Sequence, residues 1–161
     1  MEEEFIVSVI IINNLNKGEA FLHKLNALIP ELSVSDIEQS LNFYSEILLF
    51  KIEYQRPEDK FALLSLNDCQ IMIEEVNGHW STGELSYPYG RGINFQIIIN
   101  DIDPLYNSLK KNEYPIKFGI QENWYRADTK LKGQKEFLIM DPDGYLLRFV
   151  QNLGEKDVEA D

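Results

Sequence analysis

This chain repeats itself, and the repeat constrains its fold more than any other feature: an order of strand, helix and three strands runs twice along it. Leu32-Ser33-Val34-Ser35-Asp36-Ile37 lies over Ile97-Ile98-Ile99-Asn100-Asp101-Ile102 at an offset of 65 residues, an apolar run meeting an Asp in both cases. The closing hairpins superpose at an offset of 76, with Asn67-Asp68 on Asp143-Gly144. The offset grows by 11 residues (76 against 65), so the second copy has a longer middle, around Gln121 to Gly133. Two such units can bury their apolar sides together, and a single core then serves both.

Within the first copy, Leu32 and Val34 alternate with polar neighbours as in a half-buried strand. Asp36 is a helix N-cap with Gln39 three residues on. Ile37, Leu41, Tyr44 and Leu48 then form a helical stripe. Strands follow at Phe50 to Tyr54, Phe61 to Leu66 and Cys69 to Val76, separated by Arg56-Pro57-Glu58-Asp59-Lys60 and by Asn67-Asp68. In the second copy a strand at Asn94 to Asn100 precedes a helix capped at Asp103, with Pro104 at its first position. Strands are then predicted at Pro115 to Ile120, Trp124 to Thr129, Glu136 to Met140 and Tyr145 to Gln151, the last two joined by the turn Asp141-Pro142-Asp143-Gly144. The organisation is therefore an N-terminal extension over 1–24 with a β-branched run at Ile6 to Ile12, a first module over 25–77, a loop over 78–92, a second module over 93–152 and an acidic tail over 153–161.

Bulk chemistry removes several function classes. A net charge of −12, from 27 acidic and 15 basic residues, repels a phosphate backbone and argues against a nucleic-acid partner. The single cysteine, Cys69, excludes an internal disulfide and fits a reducing, cytoplasmic setting; it has no basic neighbour to activate it. Met1-Glu2-Glu3-Glu4 has the wrong charge for a signal peptide, and Phe5 to Ile12 is too short to span a bilayer. The two histidines, His23 and His79, belong to no ligand-spaced cluster, so no His/Cys zinc site is expected. No nucleophile–base–acid arrangement and no phosphate-binding loop can be drawn.

Three spaced segments resemble one family: Ile29-Pro-Glu-Leu-Ser-Val-Ser-Asp-Ile-Glu-Gln-Ser-Leu-Asn-Phe-Tyr44, Gly92-Ile-Asn-Phe-Gln-Ile-Ile-Ile-Asn-Asp-Ile-Asp103 and Phe137-Leu-Ile-Met-Asp-Pro-Asp-Gly-Tyr-Leu-Leu-Arg-Phe149. They look like the vicinal-oxygen-chelate superfamily of glyoxalases, extradiol dioxygenases and fosfomycin- and bleomycin-resistance proteins. The resemblance implies an α+β fold of two βαβββ modules forming a curved mixed sheet around a cleft, and a homodimer. Family enzymes hold a divalent metal with one side chain from the first and one from the last strand of each module. Those positions fall on Ile29, Met72, Asn94 and Arg148, of which Ile29, Met72 and Arg148 are poor ligands for such an ion. The expectation is accordingly no metal and no cofactor. The chain then resembles the bleomycin-resistance branch, which sequesters a drug at a dimer interface without chemistry.

Candidate ligand-binding residues follow from these positions and their period-2 neighbours: Glu31, Met72, Glu74, Asn94, Gln96 and Arg148, with Val150 on the same face. Trp124 and Arg126 join them as a ring and a guanidinium able to stack on a planar ligand. His79, Trp80, Tyr87 and Tyr89 lie in the inter-module loop, which the family often uses as a cover. An internal ion pair of Arg148 with Glu31 or Glu74 is the alternative use of the charges. At the level of the whole protein, the alternatives are a metal-dependent lyase, isomerase or dioxygenase with atypical ligands, and an interaction protein with a filled cavity.

Overall fold

The computed structural model describes residues 25–158, and the β-branched run at Ile6 to Ile12 lies outside them. The first module is β1 (Glu31–Val34), α1 (Ile37–Asn42, continuing as a π-helical turn over Phe43–Ile47), β2 (Lys51–Arg56), β3 (Phe61–Leu66) and β4 (Cys69–Glu75). The second is β5 (Asn94–Ile98), α2 (Asp103–Lys111), β6 (Phe118–Ala127), β7 (Lys130–Met140) and β8 (Leu146–Asp157). Each module makes its own mixed sheet, in the order β1-β4-β3-β2 and β5-β8-β7-β6, and no strand of one is hydrogen-bonded to the other. The first strand pairs parallel to the last, and the remaining pairs are antiparallel. The repeat survives down to single residues: Glu31 pairs with Met72 and Gln96 with Arg148, the two offsets read from the sequence.

The local chemistry explains each element. Asp36 caps α1 by accepting from the Gln39 N–H at 2.9 Å. After Asn42 the helix widens, so that the Leu48 N–H donates to the Phe43 carbonyl at 3.0 Å. This turn rotates the stripe and buries Phe43 as well as Tyr44 and Leu48, whereas Leu41 is only half-buried. In the second module the N-cap is Ile102, one residue earlier than the sequence suggests, and its side chain makes no capping bond. Asp101 Oδ1 accepts from the Asp103 N–H at 3.0 Å, and Asp103 is already helical.

Two predicted strands, Pro115 to Ile120 and Trp124 to Thr129, are one strand, β6, and β7 begins at Lys130 rather than Glu136. The surplus residues of the second module therefore lengthen the β6–β7 hairpin instead of adding a strand. β8 follows it to Asp157, into the segment read as an acidic tail, with a bulge where Gly133 and Gln134 face it. Exposed pairs Lys130–Asp157 and Lys132–Glu155 line this arm at 2.5 and 3.3 Å.

One core joins the modules. Leu32, Val34, Ile71 and Ile73 of the first sheet meet Ile97, Phe137, Leu147 and Phe149 of the second through both helices, all within one cluster. Polar joints cluster at the Asp141-Pro142-Asp143-Gly144 turn. Asp143 Oδ1 accepts from the Ser35 N–H at 3.0 Å, and the Tyr44 hydroxyl donates to Asp141 Oδ2 at 2.8 Å. The Tyr145 hydroxyl reaches the Ser33 carbonyl at 3.1 Å, and the Tyr89 N–H donates to the Asp143 carbonyl at 2.9 Å. Asp141 Oδ1 also accepts from the Asp143 and Tyr145 N–H groups at 3.0 and 2.8 Å. Asp141 is 2% exposed, and burial pushes its pKa up to about 6 although these donors pull it down.

Gly144 closes the turn at φ +92°, where a Cβ would stand 2.4 Å from Pro88 Cβ. Gly154 has φ +95° but open space around it. Gly154→Ala is expected to lose about 1 kcal/mol from backbone strain alone, and Gly144→Ala clearly more because Pro88 must also move. Thermal midpoints that fall equally in the two variants would contradict this packing.

An unfolded Asp titrates near 3.8, so between that pH and about 6 the folded chain holds a proton that the unfolded chain releases. Folding gains from this carboxyl as pH falls through about 6, and the gain is complete below the unfolded value. Asp141→Asn is neutral throughout. The stability of wild type relative to this variant should rise by on the order of 2–3 kcal/mol between pH 7 and pH 4, as read from urea midpoints.

Candidate functional site

Helices cover one face of each sheet, and the opposite, outer face carries the residues singled out by the repeat. On β1 and β4 these are Glu31, Met72 and Glu74, beside Phe61 and Leu63 of β3, and the ladder Glu31–Met72–Leu63 runs straight across. Glu31 is exposed while Met72 and Glu74 are half-buried. Loss of solvation raises the Glu31 pKa, as do the charge of Glu74 and a hydrogen bond with its carboxyl, and Arg56 offsets part of this. Arg56 lies 3.8 Å from the Phe61 ring centroid, and the Tyr54 and Phe61 rings are 5.8 Å apart. This face is an acidic pair beside a half-buried Tyr54 and a Phe61 ring that is buried under Arg56. Glu74 also borders a depression of about 400 Å³ with Glu58, Asp59, Lys60 and Glu75.

The outer face of the second sheet is organised differently. Asn94 and Gln96 of β5 stand beside Leu146 and Arg148 of β8, and Leu138 and Glu136 of β7 continue the row next to Arg148 and Val150. Arg148 Nη2 bonds Gln96 Oε1, and its Nε lies 3.6 Å from Glu136 Oε2. Glu136 is 5% exposed, and its Oε1 accepts from the Tyr125 hydroxyl at 2.6 Å and from Asn123 Nδ2 at 2.9 Å. The hydrogen bond to Glu136 raises the Tyr125 pKa. Arg148 thus has its partner within its own sheet, and neither Glu31 nor Glu74 is that partner.

Alternation along β6 separates residues that the sequence groups together. Asn123 and Tyr125 point to the Arg148 face, so Trp124 and Arg126 point away from it. The Trp124 ring lies over Gly133, with Lys156 Nζ 4.3 Å from its centroid. Arg126 Nε donates to the Asp128 carbonyl at 3.1 Å, in the hairpin turn. Trp124 and Arg126 therefore brace the arm and lie on the other side from Arg148. Among the loop aromatics, Trp80 and Tyr87 are each 65% exposed, and Tyr87 borders a depression at the module joint with Tyr114 and Asp141. Cys69 is half-buried, and burial pushes its thiol pKa up.

Glu136 and Asn123 lie outside the residues that the sequence singles out, whereas Tyr125 belongs to the segment Trp124-Tyr125-Arg126 that it does single out. Glu136 opens the apolar run Phe137-Leu138-Ile139-Met140, and alternation with buried Phe137 and Ile139 puts it on the outer face. That signal was available. Its place beside Arg148 depends on the β7–β8 register, which no local pattern specifies.

The four positions aligned with family metal ligands do not suit a divalent ion. Ile29 has no donor atom, Met72 offers a soft thioether, Asn94 an exposed amide, and Arg148 a fixed cation already paired with Glu136. Among the described residues, no three His, Cys, Asp or Glu side chains are grouped to hold a metal ion.

Comparison with known proteins agrees with the fold. The family model for the glyoxalase/bleomycin resistance protein/dioxygenase superfamily matches residues 24–149. A bleomycin resistance protein of Geobacillus stearothermophilus is 31% identical over 139 residues, covering 78% of this chain and 96% of that protein. Among solved structures, TioX from Micromonospora sp. ML1 superposes with a TM-score of 0.60 at 16% identity, over 80% of this chain and 100% of that one. A protein described as glyoxalase/bleomycin resistance protein/dioxygenase from Alicyclobacillus acidocaldarius gives 0.57 at 20% identity, over 81% and 93%. No helix among the described residues is long and apolar enough to cross a membrane. The paired modules, their register and these matches establish that the chain belongs to the glyoxalase/bleomycin resistance protein/dioxygenase superfamily.

Proposed function

We propose that this protein sequesters a small organic molecule, without a metal ion, against the outer faces of its sheets, and that a second copy completes the groove. The observation that carries this reading is Arg148. A guanidinium stands where the family's enzymes would need a metal-binding carboxylate, and it is neutralised from the side by Glu136 at 3.6 Å. A cation there opposes a second cation and suits polar recognition of an organic ligand instead. The Glu31–Glu74 pair, the half-buried Tyr54 ring and the net charge of −12 favour a cationic, aromatic ligand at the first sheet. Similarity to bleomycin resistance proteins supports the same direction. A homodimer is supported by the outer faces themselves, since Ile98 is 52% exposed beside Val150 and Arg148 and invites cover.

Native mass spectrometry of protein purified without chelator should give a dimer mass with no metal adduct. Titration of bleomycin and of a cationic acridine, followed by tryptophan fluorescence, should saturate. Glu31→Gln with Glu74→Gln should weaken the acridine about tenfold at low salt. Binding should also weaken on acidification from a higher pH than an isolated carboxylate would dictate, because desolvation and the neighbouring Glu74 raise the Glu31 pKa. One tightly held metal ion per chain, or the absence of any saturable binding, would overturn the reading.

A further inference from the structure

The depression at the module joint, about 360 Å³ in volume, is walled by Tyr87, Tyr114, Pro115, Pro142 and Met140. Neither Glu31 and Glu74 of the first sheet nor Arg148 of the second borders it. Two phenol rings, two proline rings and a thioether make a wall that packs against a flat apolar group, and the volume suits a single-ring molecule.

The wall is largely preformed. The Tyr114 hydroxyl donates to the Met140 carbonyl at 2.9 Å, and its ring lies 4.7 Å from the buried Phe43 ring. Tyr87 is 65% exposed, yet its Cε2 passes so near Gly144 that a Cβ there would stand 3.2 Å away. Its loop is tied down two residues on, where the Tyr89 N–H donates to the Asp143 carbonyl at 2.9 Å. A ligand entering here orders little of the protein, which favours binding.

One charge at the rim lacks a counter-ion. Lys117 is fixed through its backbone N–H, which donates to the Leu138 carbonyl at 2.9 Å, and its side chain is exposed. The ammonium reaches the Met140 sulfur, a weak acceptor, at 3.7 Å and makes no ion pair among the described residues. Asp141, the one acid in the described wall, is already engaged: its two oxygens accept from the Tyr44 hydroxyl and from the Asp143 and Tyr145 N–H groups. A cation would meet Lys117 at the mouth and find Asp141 occupied. The negative charge of the whole chain acts on an anion from a distance and is screened beyond about 8 Å at physiological salt, whereas Lys117 acts at contact.

We infer that this depression is a second binding site, separate from the outer faces, for a small aromatic carboxylate whose ring lies against Tyr87, Pro115 and Pro142 and whose carboxylate meets Lys117 Nζ. The site goes beyond the sequestration reading and does not depend on it. Tyr87 belongs to the inter-module loop and the rest of the wall to the second module, so a bound ring links the two.

The test reads the methionine methyls of the full chain. Met140 lines the depression, Met72 lies on the outer face of the first sheet, and Met1 completes the three in the sequence. With ¹³C-labelled methyls assigned through Met72→Leu and Met140→Leu, phenylacetate is expected to shift Met140 and leave Met72 in place. It should bind about fivefold tighter than phenylacetamide, a neutral molecule of the same shape, the difference expected of one exposed ion pair. Lys117→Gln should remove that difference, Lys117→Arg should restore it, and Tyr87→Ala should weaken acid and amide alike, a pattern that loss of stability would not give. An unmoved Met140 methyl overturns the inference, as does equal binding of acid and amide by the wild type, tighter binding of phenethylammonium than of phenylacetate, or a preference that survives Lys117→Gln. The wild-type ranking and the Met140 shift decide the outcome even where a variant folds poorly. An acridine shift at Met72 with Met140 unmoved by phenylacetate removes this site alone and leaves the sequestration reading standing.

Discussion

The buried Asp141 carboxyl is the contact on which the arrangement of the two modules depends. It organises its own turn through the Asp143 and Tyr145 N–H groups and reaches across to the Tyr44 hydroxyl of the other module. Asp143 adds the second crossing, to the end of β1 at Ser35. Removing a carboxyl from water is unfavourable unless donors replace the water, and here three donors do so on one side chain. Because Tyr44 is itself fully buried in the widened end of α1, the turn cannot shift without disturbing the shared core. The inter-module chain is held at the same point, through the Tyr89 N–H and the close passage of Pro88 over Gly144.

Fixing the modules in this way decides which faces remain available. Each sheet spends one face on the common core and leaves the other outward, the usual condition of a sheet covered by helices on one side only. The register of the two sheets is the same, so Glu31 and Gln96, and Met72 and Arg148, occupy equivalent sites. Their chemistry has diverged. The first face pairs two carboxylates beside aromatic rings, and the second pairs a carboxylate with a guanidinium inside a frame of amide and hydroxyl groups. A duplicated fold has become two unlike surfaces.

The extra length of the second module serves the second surface. By extending β6 and β7 as one hairpin, it brings Asn123 and Tyr125 within reach of Glu136, which has no counterpart arrangement on the shorter β2–β3 hairpin. Trp124, over Gly133 and under Lys156, stiffens the same hairpin from its other side. The exposed ion pairs along the arm contribute little by themselves. Packing of a large ring against a glycine and the bulge at Gly133–Gln134 shape it instead.

Much of this architecture is local in origin and therefore readable along the chain. The Asp36 cap, the alternation of Leu32 and Val34, the run Phe61 to Leu66 and the Asp-Pro-Asp-Gly turn all follow from neighbours within a few residues, and the repeat adds which strands correspond. The positions of Glu31, Met72, Gln96 and Arg148 on outer faces follow from the same period of two. Partnership does not. Whether Arg148 meets Glu31, Glu74 or Glu136 depends on antiparallel register and on which sheet lies beside it, and a shift of one residue in β6 exchanges Trp124 for Tyr125 at the site. The sequence by itself determined the two modules and the residues that face outward, because strand and helix periods are properties of adjacent residues. Only the tertiary structure decided that Glu136, Asn123 and Tyr125 surround Arg148, because pairing across strands is set by contacts between residues distant in the chain.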